Sequence, residues 1–234
     1  VKPHETWKVL PHGDIERLAE NLYIVEGKLP MPFGETTRHM TIAKLASGGL
    51  AIFSAIALDE PHMAKLESLG TPAFLIVPSG IHRIDIKPWK DRYPRLQVIA
   101  PENACIRVSE VVDVDSTELD LGDPTVQLQY VPGTKRRELY MIVDTPSGKT
   151  LVVNDLIFNV SAIDGWRGLP YKLLGFGFGH PSMPKLVKRK LVANDNEVKD
   201  QLRAWANDGF ERIIVAHGNP IENPREVLLE LAAA

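Results

Sequence analysis

Four side chains in this sequence have the types and positions to do chemistry together. His82 and Asp85 follow the apolar run Phe74–Val77, Asp155 follows Thr150–Val153 and Asn154, and His217 follows Arg212–Ala216. Each run is too short for a helix and rich enough in branched residues to be a buried strand. In α/β sheets, ligands collect where strands end at their carboxyl side, because the loops there carry polar groups over a rigid base. Two imidazoles and two carboxylates suit zinc, iron or manganese, and three or four protein ligands leave room for an activated water. On this reading His82, Asp85, Asp155 and His217 hold one metal ion. Asp155 and Asp85 are then also the catalytic carboxylates, with Asp155 able to take the proton. The residues leave a plainer reading open, in which no ion binds, His82 hydrogen-bonds a turn and Asp85 is solvated.

The elements that must position these residues follow from periodicity and punctuation. Asn21–Glu26 is the first strand-like run, and Gly27–Gly34, with two prolines and two glycines, reads as a loop. Met40–Leu45 and Leu50–Ile56 flank Ser47-Gly48-Gly49 as a hairpin. Asp59 can cap a helix with Pro61 in its first turn, Met63, Leu66 and Leu69 on one side, and Gly70 as its stop. After the strand at Phe74–Val77 come a short helix at Ile86–Tyr93, a buried strand at Leu96–Ala100 and a strand at Val111–Val114. Thr125–Val131 alternates apolar and polar residues, as a strand with one wet face does. Leu139–Val143 and Thr150–Val153 flank Pro146-Ser147-Gly148 as a second hairpin. Asn194–Glu197 starts a helix with Val198, Leu202, Trp205 and Ala206 in a stripe, and Asn223-Pro224 opens a last helix with Val227, Leu228 and Leu231 on one face. Each half has meandering strands, then a helix, then a buried strand ending in a His-bearing loop. That pattern predicts two sheets packed face to face with helices on the outer faces, in one domain whose halves span about 18–115 and 116–234.

Composition narrows the function classes. The 234 residues are 44% hydrophobic and 24% charged, as in ordinary globular chains. A formal net charge of −3 argues against nucleic-acid binding, which needs a dominant basic footprint. The single cysteine, Cys105, excludes an intrachain disulfide and an all-thiolate zinc site, and fits a reducing, cytoplasmic setting. No basic-then-apolar leader opens the sequence, and its most apolar stretch, Leu45–Leu58, falls short of the ~20 residues that a membrane span requires. The expectation is a soluble protein.

The strand order and the three strand ends resemble the metallo-β-lactamase superfamily. NLYIVEG (21–27) resembles that family's opening strand, TLVVNDLIF (150–158) its segment bearing the bridging Asp, and IIVAHGNP (213–220) its final strand with the terminal His. The resemblance covers roughly residues 18–232. It implies an αβ/βα four-layer sandwich of two mixed β-sheets, with a metal site between them and a hydrolase activity. The pattern also departs from the family. With His82 on the second His of HxHxDH, Gly80 stands at the first His, Ile84 at the Asp and Asp85 at the last His. The turn that normally supplies the next His reads VPGTKRREL (131–139) and holds no imidazole. A degenerate site of this kind cannot hold the usual two metals. It implies one zinc, iron or manganese ion at His82, Asp85, Asp155 and His217, or none.

Lys135, Arg136 and Arg137 stand in that turn, where cations would repel a metal but could hold an anionic group; Glu138 reads as their ion-pair partner. His4, His12, His39 and His62 read as surface groups. The stretch 156–193 has no steady period and reads as an inserted functional loop. Within it His180 is placed to complete the ligand set from above. Its aromatic cluster (Trp166, Tyr171, Leu173, Leu174, Phe176, Phe178) with Lys185 and Lys188–Lys190 fits core packing or a homodimer contact better than a membrane surface. Two functions follow. One is a metal-dependent hydrolase of an ester, thioester, lactone or phosphoester. The other is a non-catalytic relative that binds an anionic small molecule or a protein partner in the former cleft, anchored by Lys135–Arg137.

Overall fold

The structure, a computed structural model, describes residues 2–31, 34–161 and 179–234, with Met31 and Gly34 as backbone. β1 (Glu16–Ala19), β2 (Leu22–Met31), β3 (Gly34–Lys44) and β4 (Gly49–Phe53) form an antiparallel meander. Asp59 caps α1 (Glu60–Leu69) by accepting the His62 N–H, which satisfies one of the donors a helix start leaves open. β5 (Thr71–Ile76) then pairs parallel to β4, and after α2 (Ile86–Arg92) β6 (Gln97–Ile99) pairs parallel to β5. The first sheet thus runs β1-β2-β3-β4-β5-β6.

A 3₁₀ turn at Glu102–Ala104 and α3 (Cys105–Ser109) lead to the second meander: β7 (Val126–Tyr130), β8 (Leu139–Thr145) and β9 (Gly148–Val152). Beyond β10 (Phe158–Asn159) come α4 (Lys185–Leu191) and α5 (Asp195–Asn207). β11 (Phe210–Ile214) adds parallel to β9, the two-residue strand β12 (His217–Gly218) pairs parallel to β10, and β13 (Ile221–Glu222) lies antiparallel to β11. α6 (Arg225–Ala233) follows, and the second sheet has the order β13-β11-β9-β8-β7.

Three apolar cores define the layers. One holds side chains of both sheets, among them Ile24, Phe53, Ile76, Met141, Val152 and Ile214. A second packs the outer face of the first sheet (Val25, Ile52, Leu75) against Met63 and Leu66 of α1 and Trp89 of α2. The third packs Leu151, Ile213 and Val215 under Leu202 and Trp205 of α5 and Leu228 of α6. Successive strand residues alternate between cores, as Leu75 and Ile76 do, which is why the central runs are apolar on both faces. Each such side chain removed from water contributes roughly 1.5–3 kcal/mol. The layers are helix, sheet, sheet, helix, as expected from the strand order.

Two expectations need correction. Gly27–Gly34 is not a loop over its length: β2 and β3 pair from Leu22↔Ala43 to Met31↔Gly34. Pro30 is tolerated because β1 reaches only Ile24, so the outer edge of β2 beyond it needs no N–H from Pro30. Val111–Val114 is no strand; the chain there crosses in a turn and bend to the bridge Ile99↔Ser116. No helix among the described residues is long and apolar enough to cross a membrane. The aromatic cluster expected to form a core or dimer contact, Trp166 to Phe178, lies outside the described residues.

Candidate metal centre

The tips of β5, β9 and β11 point at one place. Past β5 the chain turns at Ser79–His82 (His82 N–H to Ser79 O, 3.3 Å), which brings the His82 ring over the end of the second sheet. Past β9, Asn154 and Asp155 continue inward and are buried. Past β11, Val215 and Ala216 lead into His217, whose strand β12 is held in register by Phe158↔His217 and Asn159↔Gly218. Gly218 sits at φ 93°, and a Cβ there would lie 2.0 Å from the Asn159 carbonyl oxygen, so only glycine lets β10 and β12 approach this closely.

His82, Asp155 and His217 therefore present ligand-type atoms that all lie within 4.8 Å of one another. His82 Nε2 is 3.0 Å from Asp155 Oδ1, and His217 Nε2 is 3.5 Å from the same oxygen. The far nitrogens are engaged elsewhere. His217 Nδ1–H donates to the Thr37 carbonyl at 2.7 Å, and His82 Nδ1 hydrogen-bonds Ser54 Oγ at 2.8 Å. The first of these bonds fixes the tautomer, because a carbonyl only accepts. It turns His217 Nε2 toward the Asp155 carboxylate oxygen, where either a ring proton or a bound cation can lie between them. Phe158 stacks on His217 with centroids 4.8 Å apart, and Asn154 Nδ2 donates to Asp155 Oδ2 at 3.1 Å. Ser54 holds its position at φ 59°, a left-handed conformation that costs a non-glycine residue of the order of 1 kcal/mol. Burial raises the Asp155 pKa, but the charges and hydrogen bonds of His82 and His217 outweigh it and hold the carboxyl well below its usual range.

Asp85 is not part of this group. Its side chain is fully buried, with Oδ1 on His4 Nδ1 at 2.8 Å and Oδ2 on Arg38 Nη2 at 2.6 Å. Asp85 follows the same apolar run as His82, but it is the residue that precedes α2 and its carboxylate turns to Arg38 and His4. It stands outside the group of ligand-type atoms that His82, Asp155 and His217 bring together.

The other expected participants divide. His180 is exposed and stands outside the three-residue group. Lys135 and Arg136 are exposed, and both take positive φ; Arg136 pairs with Glu102 and lies 5.0 Å above the Tyr130 ring. Arg137 alone of the three cations reaches a cavity. That cavity, of about 620 Å³, is lined by Arg107, Arg137 and Lys190 together with Ile81, Leu186 and Asp155. A smaller one of about 220 Å³ is lined by Arg38, Ser54, Ile81, His82, Asp155 and His217. Asp155 borders both.

Several histidines read as surface groups are not. His39 is buried, with Nδ1–H donating to Val215 O at 2.9 Å; its pKa is lowered, chiefly by that burial. His12 accepts the Asp59 N–H, and His62 lies between Asp59 (2.6 Å) and Asp14 (2.9 Å), which raises its pKa. These residues clamp the segment before β1 onto the start of α1.

Glu138 does not pair with its cationic neighbours. It is fully buried, accepts the Leu156 N–H through Oε1 at 3.0 Å, and leaves Oε2 without a partner among the described residues. Burial first, and the Asp155 charge second, push its pKa well up. Such a group holds its proton in the folded chain at pH values where the unfolded chain has lost it, so stability falls as pH rises from the ordinary carboxyl range through the folded value. In metal-free protein, Glu138→Gln is therefore expected to flatten the alkaline side of the stability profile. The variant gains on the wild type as pH rises above the ordinary carboxyl range in chemical denaturation; a constant gap across the pH series would refute the assignment.

No family model and no curated protein matches this chain. Solved structures do. The metallo-β-lactamase DIM-1, exposed to ceftazidime, superposes with a TM-score of 0.63 at 12% identity over 97% of this chain and 99% of its own. FIM-1 from Pseudomonas aeruginosa, in its mono-zinc form, gives a TM-score of 0.64 at 12% identity over 97% and 96%. A metallo-β-lactamase from Pontibacter korlensis gives 0.60 at 11% over 94% and 98%. The chain has the metallo-β-lactamase fold, an αβ/βα sandwich, over nearly its whole length. Its candidate site brings together two imidazoles and one carboxylate.

Proposed function

We propose that this protein is a metal-dependent hydrolase that works with one ion, zinc, iron or manganese, held by His82, Asp155 and His217. The observation that carries the reading is the convergence of two imidazoles and a buried carboxylate, with ligand-type atoms within 4.8 Å of one another, where three strand ends meet. The donor set fits: two imidazoles and a carboxylate are the ligands of a three-ligand catalytic zinc site, and the outer hydrogen bonds from Ser54 and Thr37 orient the rings as such sites require. A divalent ion there supplies Lewis acidity, activating a water and polarising the scissile group of an ester, thioester, lactone or phosphoester. The remaining work belongs to the chain. Asn154 aims Asp155 through Oδ2, and Glu138 keeps its proton beside it, sparing Asp155 a second negative charge. The larger cavity, with Arg107, Arg137 and Lys190, is placed to take the body of a substrate bearing an anionic group.

Metal analysis of protein purified without chelator, paired with hydrolysis assays over those four bond classes, tests this. The expected result is one ion per chain and a turnover lost in His82→Ala and His217→Ala alike. Metal-free, inactive protein that still binds anions would favour the non-catalytic binding module instead.

A further inference from the structure

Arg38 lines the smaller cavity together with His82, Asp155 and His217, and nothing in the hydrolase reading uses it. It lies on β3, one residue beyond Thr37, whose carbonyl holds His217. The residue is only 6% exposed. Of the five N–H donors of a guanidinium, one is engaged among the described residues: Nη2 donates to Asp85 Oδ2 at 2.6 Å. The pair is a single contact and not a two-point fork; the other oxygen, Asp85 Oδ1, lies 2.8 Å from His4 Nδ1. Arg38 Nε is buried with no partner among the described residues.

A buried cation with unmet donors beside a catalytic cleft is costly unless something else binds it. Burying the Arg38–Asp85 pair gains little stability over an apolar pair of similar volume, so its retention points to another use. Guanidinium donors match the oxygens of phosphoryl and carboxylate groups, and the Asp85–His4 chain holds Arg38 in place before any ligand arrives. Leu29 and Ile84 add apolar lining to the same cavity.

We infer that Arg38 is the substrate anchor of this cleft, binding an anionic oxygen, phosphoryl or carboxylate, next to the bond that is cut. The inference rests on the hydrolase reading for the reaction but not for the binding. It selects among the four bond classes, favouring a phosphoester or an ester with an adjacent carboxylate over a neutral lactone.

The test is calorimetric titration of inorganic phosphate and of acetate into metal-free and zinc-loaded full-length protein. Arg38→Lys keeps a charge opposite Asp85 but loses the planar donors. It is expected to weaken the tighter of the two anions at least about tenfold in both metal states, with zinc stoichiometry unchanged. The tighter anion identifies the group recognised. An affinity unchanged in Arg38→Lys overturns the proposal, as does anion binding that needs zinc and ignores the substitution. Should Arg38→Lys unfold, the Arg38 Nε–H resonance in wild-type protein decides: a shift on phosphate or acetate addition supports the contact, and no shift during saturable binding overturns it. Protein that binds no metal yet shows Arg38-dependent anion binding defeats the hydrolase reading and leaves this one standing.

Discussion

Zinc added at a hundred times its dissociation constant raises the midpoint of thermal unfolding of metal-free protein by roughly 5–10 °C, and Asp155→Asn abolishes the rise. The size follows from linkage: an ion that binds only the folded chain stabilises it by about 2.7 kcal/mol at that excess, and a chain of this length gains about 2–4 °C per kcal/mol. The unfolded chain offers no competing site of equal quality, because His82, Asp155 and His217 are far apart in sequence. Asp155→Asn keeps the side-chain shape but removes the charge that both imidazoles face. A scan by differential calorimetry with zinc, manganese and iron(II) settles it. No shift with any ion defeats the metal centre. A shift that survives in Asp155→Asn but is lost in His62→Gln moves the ion to the His12–Asp59–His62 group at the start of α1.

Asp85→Ala destabilises the fold by about 3–5 kcal/mol, the cost of leaving a buried charge without its partner. Arg38 would keep its place in the wall of the cleft with no counter-ion, and His4 would lose the contact that ties the amino-terminal segment down at 2.8 Å. Arg38→Met combined with Asp85→Leu is expected to recover most of that loss, since an apolar pair of similar volume has no charge to desolvate. Urea denaturation of the single and double variants distinguishes the cases. A single variant within 1 kcal/mol of wild type would mean that the pair is solvated, contrary to its burial.

Layer order and strand ends could be read from the sequence because physics writes them locally. Leu75, Ile76 and Val77 all face cores, so a central strand appears as an uninterrupted apolar run closed by Pro78-Ser79-Gly80. The same holds for Leu151–Val153 and Ile213–Val215. His82, Asp155 and His217 stand just beyond these runs, which made them candidates, and the structure brings the three together. What stayed hidden depends on distant partners. Asp85 finds Arg38 across 47 residues and His4 across 81, and no period links them. Glu138 sits among three cations in the sequence, yet the chain bridges Ser79↔Glu138 and draws it inside. Ser54 and Thr37 are ordinary strand residues by type; only the fold turns them toward imidazole nitrogens.

The two-residue ladder that joins Phe158 to His217 and Asn159 to Gly218 bears on how the protein can diverge. It clips the segment after one candidate ligand to the other, so the separation of Asp155 and His217 depends on the two residues, Leu156 and Ile157, between Asp155 and the clip. Losing or gaining a residue in that turn would move Asp155 relative to the clip and pull the carboxylate off the imidazole. Swaps of one apolar side chain for another there would be absorbed. This corner of the molecule is open to changes of spelling and closed to changes of length.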